Sequence, residues 1–131
     1  MILSNQEARK IINLNPKGLI DVDIAERQFE VIVKGFNHLN QSKNNFLYIA
    51  DEVGLGKTYV TLGIASLLRH FSSNKEHYKD CIIVPKKNLQ LKWRKEIRNF
   101  ISNNYLLECN IVKTPLGTSV GLCEDENIHP R

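Results

Sequence analysis

No uninterrupted apolar stretch in this sequence is long enough to cross a bilayer. Residues 46–50 and 81–84 are typical of the longest ones, whereas a spanning helix needs about 20 apolar residues. Residues 1–10 are polar and mixed in charge after two apolar positions, which argues against a secretory signal. Cysteine is scarce: Cys81, Cys109 and Cys123 stand far apart, with no Cys-x-x-Cys pair. That pattern disfavours a disulfide framework or a zinc site and fits a reduced, intracellular protein. There is no internal repeat and no low-complexity tract. His38, His70, His77 and His129 have no Ser or Cys partner at nucleophile spacing, and no metal-ligand cluster is legible.

What remains is ordinary globular composition: 131 residues, 42% hydrophobic and 24% charged. This suits one domain and falls short of two. Net charge is +4 and unevenly spread. Lys86, Lys87, Lys92, Arg94, Lys95 and Arg98 lie in a stretch whose one acid is Glu96, so the rest of the chain is close to neutral. Such a block is either a solvated helix face or a contact for phosphate backbones. Asparagine is abundant and reads as compositional bias.

Periodicity divides the chain. Ser4 with Glu7 has capping-box spacing, so residues 5–14 read as a short helix before an Asn-Pro-Lys-Gly turn at 15–18. Asp23 with Glu26 repeats the cap. Phe29, Ile32, Val33, Phe36 and Leu39 then predict an amphipathic helix over 23–40. Residues 46–50 read as a buried strand and 51–56 as a glycine-containing loop. Val60, Ile64, Leu67, Leu68 and Phe71 mark a helix over 57–71, although Gly63 inside it costs about 1 kcal/mol relative to Ala. A second buried strand is predicted at 81–84, a helix at 88–102 and a third strand at 106–112. Strands alternating with helices imply a parallel sheet, with ligands beyond the carboxyl ends of the strands. Residues 114–131, punctuated by Pro115, Gly117, Gly121 and Pro130, hold no period.

Gly54-Leu55-Gly56-Lys57-Thr58 follows a predicted strand and opens a predicted helix, the setting a phosphate loop requires. Glycines let backbone N–H groups approach phosphate oxygens, and the new helix aims its free N–H groups at the same place. Lys57 supplies a cation for the β- and γ-phosphates, and the Thr58 hydroxyl suits Mg2+. The full pattern has Gly six residues before the lysine, where this chain has Asp51.

The string Ala50-Asp51-Glu52-Val53-Gly54-Leu55-Gly56-Lys57-Thr58 resembles motif I of the Swi/Snf-type ATPases, which are helicase-related DNA translocases of superfamily two. Those proteins commonly carry Asp-Glu where other phosphate loops have Gly. Cys81-Ile82-Ile83-Val84-Pro85-Lys86-Lys87-Asn88-Leu89-Gln90-Leu91-Lys92-Trp93 resembles their motif Ia, and Glu96, Ile97 and Phe100 continue it. Gln28 stands 29 residues before Lys57, near the family's Q-motif glutamine, but Arg27 precedes it where an aromatic or His is expected. The resemblance covers residues 19–101.

The resemblance implies a three-layer α/β P-loop NTPase (RecA-like) lobe with a parallel sheet, incomplete at its C-terminal side. The lobe would run over 23–113, with an N-terminal extension at 1–22 and an unassigned tail at 114–131. ATP and Mg2+ would be held by Asp51, Glu52, Val53, Gly54, Leu55, Gly56, Lys57 and Thr58. Gln28 would read the base or else be a solvated helix residue. Lys86, Lys87 and Asn88 would grip duplex DNA without reading its sequence. Trp93, at helical spacing with Leu89 and Ile97, fits core better than base stacking. The family hydrolyses ATP with an Asp-Glu box on a later strand. Asp125-Glu126 with His129 does not qualify, because no apolar strand precedes it and the His falls one position late. The chain therefore reads as the nucleotide-binding piece of a longer, cytoplasmic or nuclear DNA-dependent ATPase. The alternatives are a stand-alone phosphate-loop module and another superfamily-two branch, such as a restriction-enzyme translocase subunit.

Overall fold

The computed structural model describes residues 2–41, 43, 45–50, 56–72 and 80–104. Among them are four helices: α1 (Asn5–Arg9), α2 (Val22–Gln41), α3 (Lys57–His70) and α4 (Lys87–Asn103). None is long and apolar enough to cross a membrane.

The three-layer α/β sheet expected from the sequence is not found: among the described residues there is no strand. The physical reason is partnership. A strand exists only where a second chain segment takes its backbone hydrogen bonds, and neither 45–50 nor 81–84 forms such a ladder. Nor are these segments buried as expected. Phe46 is 68% exposed, Tyr48 78% and Ile83 90%. Leu47 and Ile49 do pack against the core. Residues 46–50 thus alternate in and out at period two, with one face covered by helices and the other open. The expected third strand at 106–112 and the tail at 114–131 lie outside the described residues.

The helices follow the sequence more closely. Ser4 caps α1, accepting the Glu7 N–H at 3.2 Å, but the helix stops at Arg9 rather than Leu14. The cap of α2 is Asp21, not Asp23: Asp21 Oδ1 accepts the N–H groups of Asp23 at 2.8 Å and Ile24 at 3.3 Å. From there α2 buries Ala25, Phe29, Ile32, Val33 and Phe36 along one stripe.

α2 packs most extensively on α3, and glycine decides how closely. A Cβ at Gly35 would stand 2.7 Å from Ile64 Cδ1 and 2.9 Å from Leu47 Cδ2, and one at Gly63 would overlap Ile32 Cδ1. Each helix therefore sets an isoleucine into the other's glycine notch. Gly63, unfavourable by helix propensity, is present because the crossing leaves no room for a side chain. α4 closes the other side of α3, with Ile97, Phe100 and Ile101 buried, Trp93 packed partly buried, and the Phe100 ring 6.1 Å from Tyr59.

Leu3, Ala8, Ile11, Ile12 and Leu14 belong to the same buried cluster as α2, α3 and α4. Side-chain amides hold this N-terminal stretch in place. Asn37 accepts the Leu3 N–H at 2.8 Å and donates to the Leu3 carbonyl at 3.0 Å. Asn15 does the same for Ile20, at 3.0 and 2.9 Å. Asn104 donates through Nδ2 to the Asn13 carbonyl at 2.8 Å, and the backbone carbonyl of Asn104 accepts the Asn13 N–H at 2.8 Å. An amide that donates and accepts side by side matches one backbone residue. Asn15 and Asn37 each satisfy both backbone groups of the residue they face.

Candidate functional site

Gly56 is the N-cap of α3 and adopts the left-handed conformation, φ 77° and ψ 37°. Only glycine does this without strain. The first hydrogen bond of α3 runs from the Val60 N–H to the Gly56 carbonyl at 3.1 Å. The N–H groups of Lys57, Thr58 and Tyr59 therefore precede the helical ladder and have no acceptor within it. They carry the positive end of the helix dipole. Lys57 and Thr58 are half-buried, while Tyr59 and Val60 turn inward and anchor the first turn against the core.

Gln28 sits directly against this cap. It is 9% exposed, and a Cβ on Gly56 would overlap its Nε2. Two residues 28 positions apart in sequence are thus brought into contact where α2 crosses the start of α3. Gln28 is a buried residue, not a solvated one. Asp51, Glu52, Val53, Gly54 and Leu55 lie outside the described residues.

These groups suit a magnesium–nucleotide ligand by their chemistry. Free N–H donors, a lysine cation and a threonine hydroxyl complement phosphate oxygens and a hard divalent cation. The carboxamide of Gln28 offers a donor and an acceptor together.

Lys86, Lys87 and Asn88 form a second cluster, all exposed, at the start of α4. Lys86 is the N-cap, in extended conformation and without a side-chain cap bond, and the first turn contains no acid. Two cations here oppose the helix dipole, where carboxylates would stabilise by about 0.3–1 kcal/mol each. The local charge does not serve the helix.

Arg69 ties the end of α3 to the segment that precedes α4. It lies at the end of the helix that Lys57 begins, its side chain is 2% exposed, and its Nη1 stands 3.8 Å from Asp80 Oδ2. Asp80 immediately precedes the segment leading to Lys86. On the far side of α2, Arg9 makes a bidentate pair with Glu26, at 2.8 and 2.6 Å, and stacks 4.6 Å above the Phe29 ring. The hydrogen bond from Arg9 holds the Glu26 carboxyl below its usual range and raises Arg9 in turn. This pair walls a cleft of about 220 Å3, floored by Ile12, Leu14, Ala25 and Phe29.

Residues 21–125 match the family described as type III restriction enzyme, res subunit. The chain belongs to that family. Membership makes it a superfamily-two helicase-related region. The matched span takes in α2, α3 and α4, and with them Gln28, Gly56, Lys57, Thr58, Lys86, Lys87 and Asn88. The match reaches superfamily two through its restriction-enzyme branch, which is coarser than the Swi/Snf likeness of the motif strings. No curated protein and no solved structure matches the chain.

Two features of this res-subunit region escape sequence reading. Arg69 stands among Leu67, Leu68, His70 and Phe71, and nothing local marks it as buried or directs it to Asp80. Arg9 and Glu26 lie in different helices, so no helical spacing joins them. The charge block 86–98 was the one legible electrostatic signal.

Proposed function

We propose that this chain is the ATP-binding part of a DNA-dependent ATPase of superfamily two, a motor that moves along duplex DNA. The observation carrying this reading is the contact of the Gln28 carboxamide with Gly56. It sets a base-reading group beside the phosphate-binding start of α3. In this reading Gly54, Gly56 and the first-turn N–H groups cradle phosphate oxygens, Lys57 neutralises the β- and γ-phosphates, and Thr58 ligates Mg2+. Asp51, Glu52, Val53 and Leu55 complete the loop, and Gln28 holds the adenine edge. Bound Mg·ATP would supply the phosphoanhydride whose cleavage drives movement. Lys86, Lys87 and Asn88 hold DNA phosphates, which gives affinity without sequence preference. We assign no hydrolytic acid to these residues, and Asp125-Glu126 stays outside the assignment.

Within superfamily two, the Asp51-Glu52-Val53-Gly54-Leu55-Gly56 string favours the Swi/Snf type. The res-subunit match over residues 21–125 favours a second reading, a restriction-enzyme translocase subunit. Both use the same nucleotide site.

Calorimetry tests the site. The chain is expected to bind Mg·ATP weakly, and Lys57→Ala to weaken that binding at least tenfold. Equal binding by the variant removes Lys57 from the phosphate site. DNA-stimulated hydrolysis is expected to be absent from the chain alone. Turnover that co-purifies with it would return Asp125-Glu126 to consideration.

A further inference from the structure

The outward face of α4 carries charge that the nucleotide site does not use. Ile97, Phe100 and Ile101 define the buried face of this helix. At 3.6 residues per turn, Asn88, Leu91, Lys95, Asn99 and Ser102 fall opposite them, with Lys92 and Arg98 on the two edges. All seven are exposed. Glu96, the only acid in α4, is half-buried and stands to one side. The ion pairs formed among the described residues are Arg9–Glu26 and Arg69–Asp80, and neither involves Lys92, Lys95 or Arg98. A face serving solubility alone would mix both signs. This one presents three cations within two turns, interleaved with the neutral polar Asn88, Asn99 and Ser102 and with the exposed Leu91.

We propose that this face is a second contact surface for the phosphate backbone of duplex nucleic acid, continuous through Asn88 with the contact at the start of α4. The inference rests on the reading of the chain as part of a DNA motor. Lys92, Lys95 and Arg98 rise along the helix in steps of about 4.5 Å, and a duplex presents one phosphate per about 1.7 Å of axis. Neighbouring cations on this face can therefore engage different phosphates. Asn99 and Ser102 donate hydrogen bonds to phosphate oxygens beside them. The contact sets the orientation of the helix on the duplex and carries no sequence information.

Fluorescence anisotropy with a labelled duplex of arbitrary sequence, across a salt series, tests this on the full chain. The variant Lys92→Gln/Lys95→Gln/Arg98→Gln removes the charges and keeps helix propensity, with circular dichroism as the check on folding. The expected result is a slope of log affinity against log salt that is smaller by about 2–3, and binding at low salt weakened more than tenfold. Mg·ATP binding stays unchanged. If the triple variant loses helix, Lys95→Gln alone is expected to reduce the slope by about 0.9. An unaltered slope overturns the proposal, as does a poly-glutamate peptide that binds as tightly as the duplex. Wild-type chain that binds Mg·ATP but no duplex overturns this surface while leaving the nucleotide site standing. Loss of Mg·ATP binding in the wild type is the separate failure of the underlying reading.

Discussion

Gly56 and Gln28 constrain each other. Any side chain at 56 meets the carboxamide and must also adopt a left-handed backbone, which alone costs about 1–2 kcal/mol. Gly56→Ala is expected to destabilise the chain and to displace Gln28. In the background of Gln28→Ala the steric part disappears and the backbone part remains. A double-mutant cycle read by denaturant midpoint should therefore give a non-zero coupling, and strict additivity would mean that the two residues do not touch. Glu26 supports a pH experiment. Its carboxyl is held low in the folded chain by the hydrogen bond from Arg9. The pair therefore stabilises above the ordinary glutamate range, and that contribution disappears as pH falls through the lowered folded value. The stability gap between wild type and Glu26→Gln should be open at neutral pH and close on acidification. Both side chains are about half exposed, so added salt should narrow it as well.

At the scale of elements, the reciprocal notches between α2 and α3 permit a sharper forecast. Gly63→Ala improves helix propensity by about 1 kcal/mol, yet it drives a methyl into Ile32, and such overpacking costs about 1–3 kcal/mol. The net effect should be loss of stability. Ile32→Val, which removes the Cδ1 that a methyl at Gly63 would overlap, should restore much of it. A Gly63→Ala variant that melts higher than wild type would show that the helices can part at no cost. The sequence made most of the helical architecture legible, because Phe29, Ile32, Val33 and Phe36, and again Ile97, Phe100 and Ile101, repeat at helical spacing. It misplaced the α2 cap by two residues because Asp21 and Asp23 are equally good caps. It misled at 46–50 and 81–84, where apolar, branched residues signal strand propensity but cannot supply a partner strand. For the site, the glycine–lysine–threonine string and Gln28 were legible as residue types, and the burial of Gln28 against Gly56 was not. That contact depends on how α2 crosses α3, which glycine notches determine. The buried Arg69 had no signal at all.

At the scale of the whole molecule, the described part is a helical core with exposed apolar side chains on its extended segments. Phe46, Tyr48 and Ile83 are exposed on extended segments whose backbone makes no ladder. Surfaces of this kind promote self-association. Sedimentation should show association rising with concentration, and Ile83→Lys should reduce it without lowering the melting temperature. A wild-type chain that remains a single species at high concentration would contradict this. The amide clamp between α4 and the N-terminal stretch is equally open to test. Asn104→Ala removes the donor to the Asn13 carbonyl, at a position where Asn104 is 4% exposed, and leaves the backbone bond from the Asn13 N–H in place. The expected loss is about 1–3 kcal/mol, seen as several degrees in the melt.

That clamp also imposes a schedule. Asn13 and Asn104 are 91 positions apart, so at ribosomal rates of about 5–20 residues per second roughly 5–20 s separate their synthesis. During that interval the backbone of Asn13 waits for Asn104. Leu3 and Arg9 meet Asn37 and Glu26 as soon as α2 is made, whereas the Asn13 end of the same stretch is fastened only once α4 is complete.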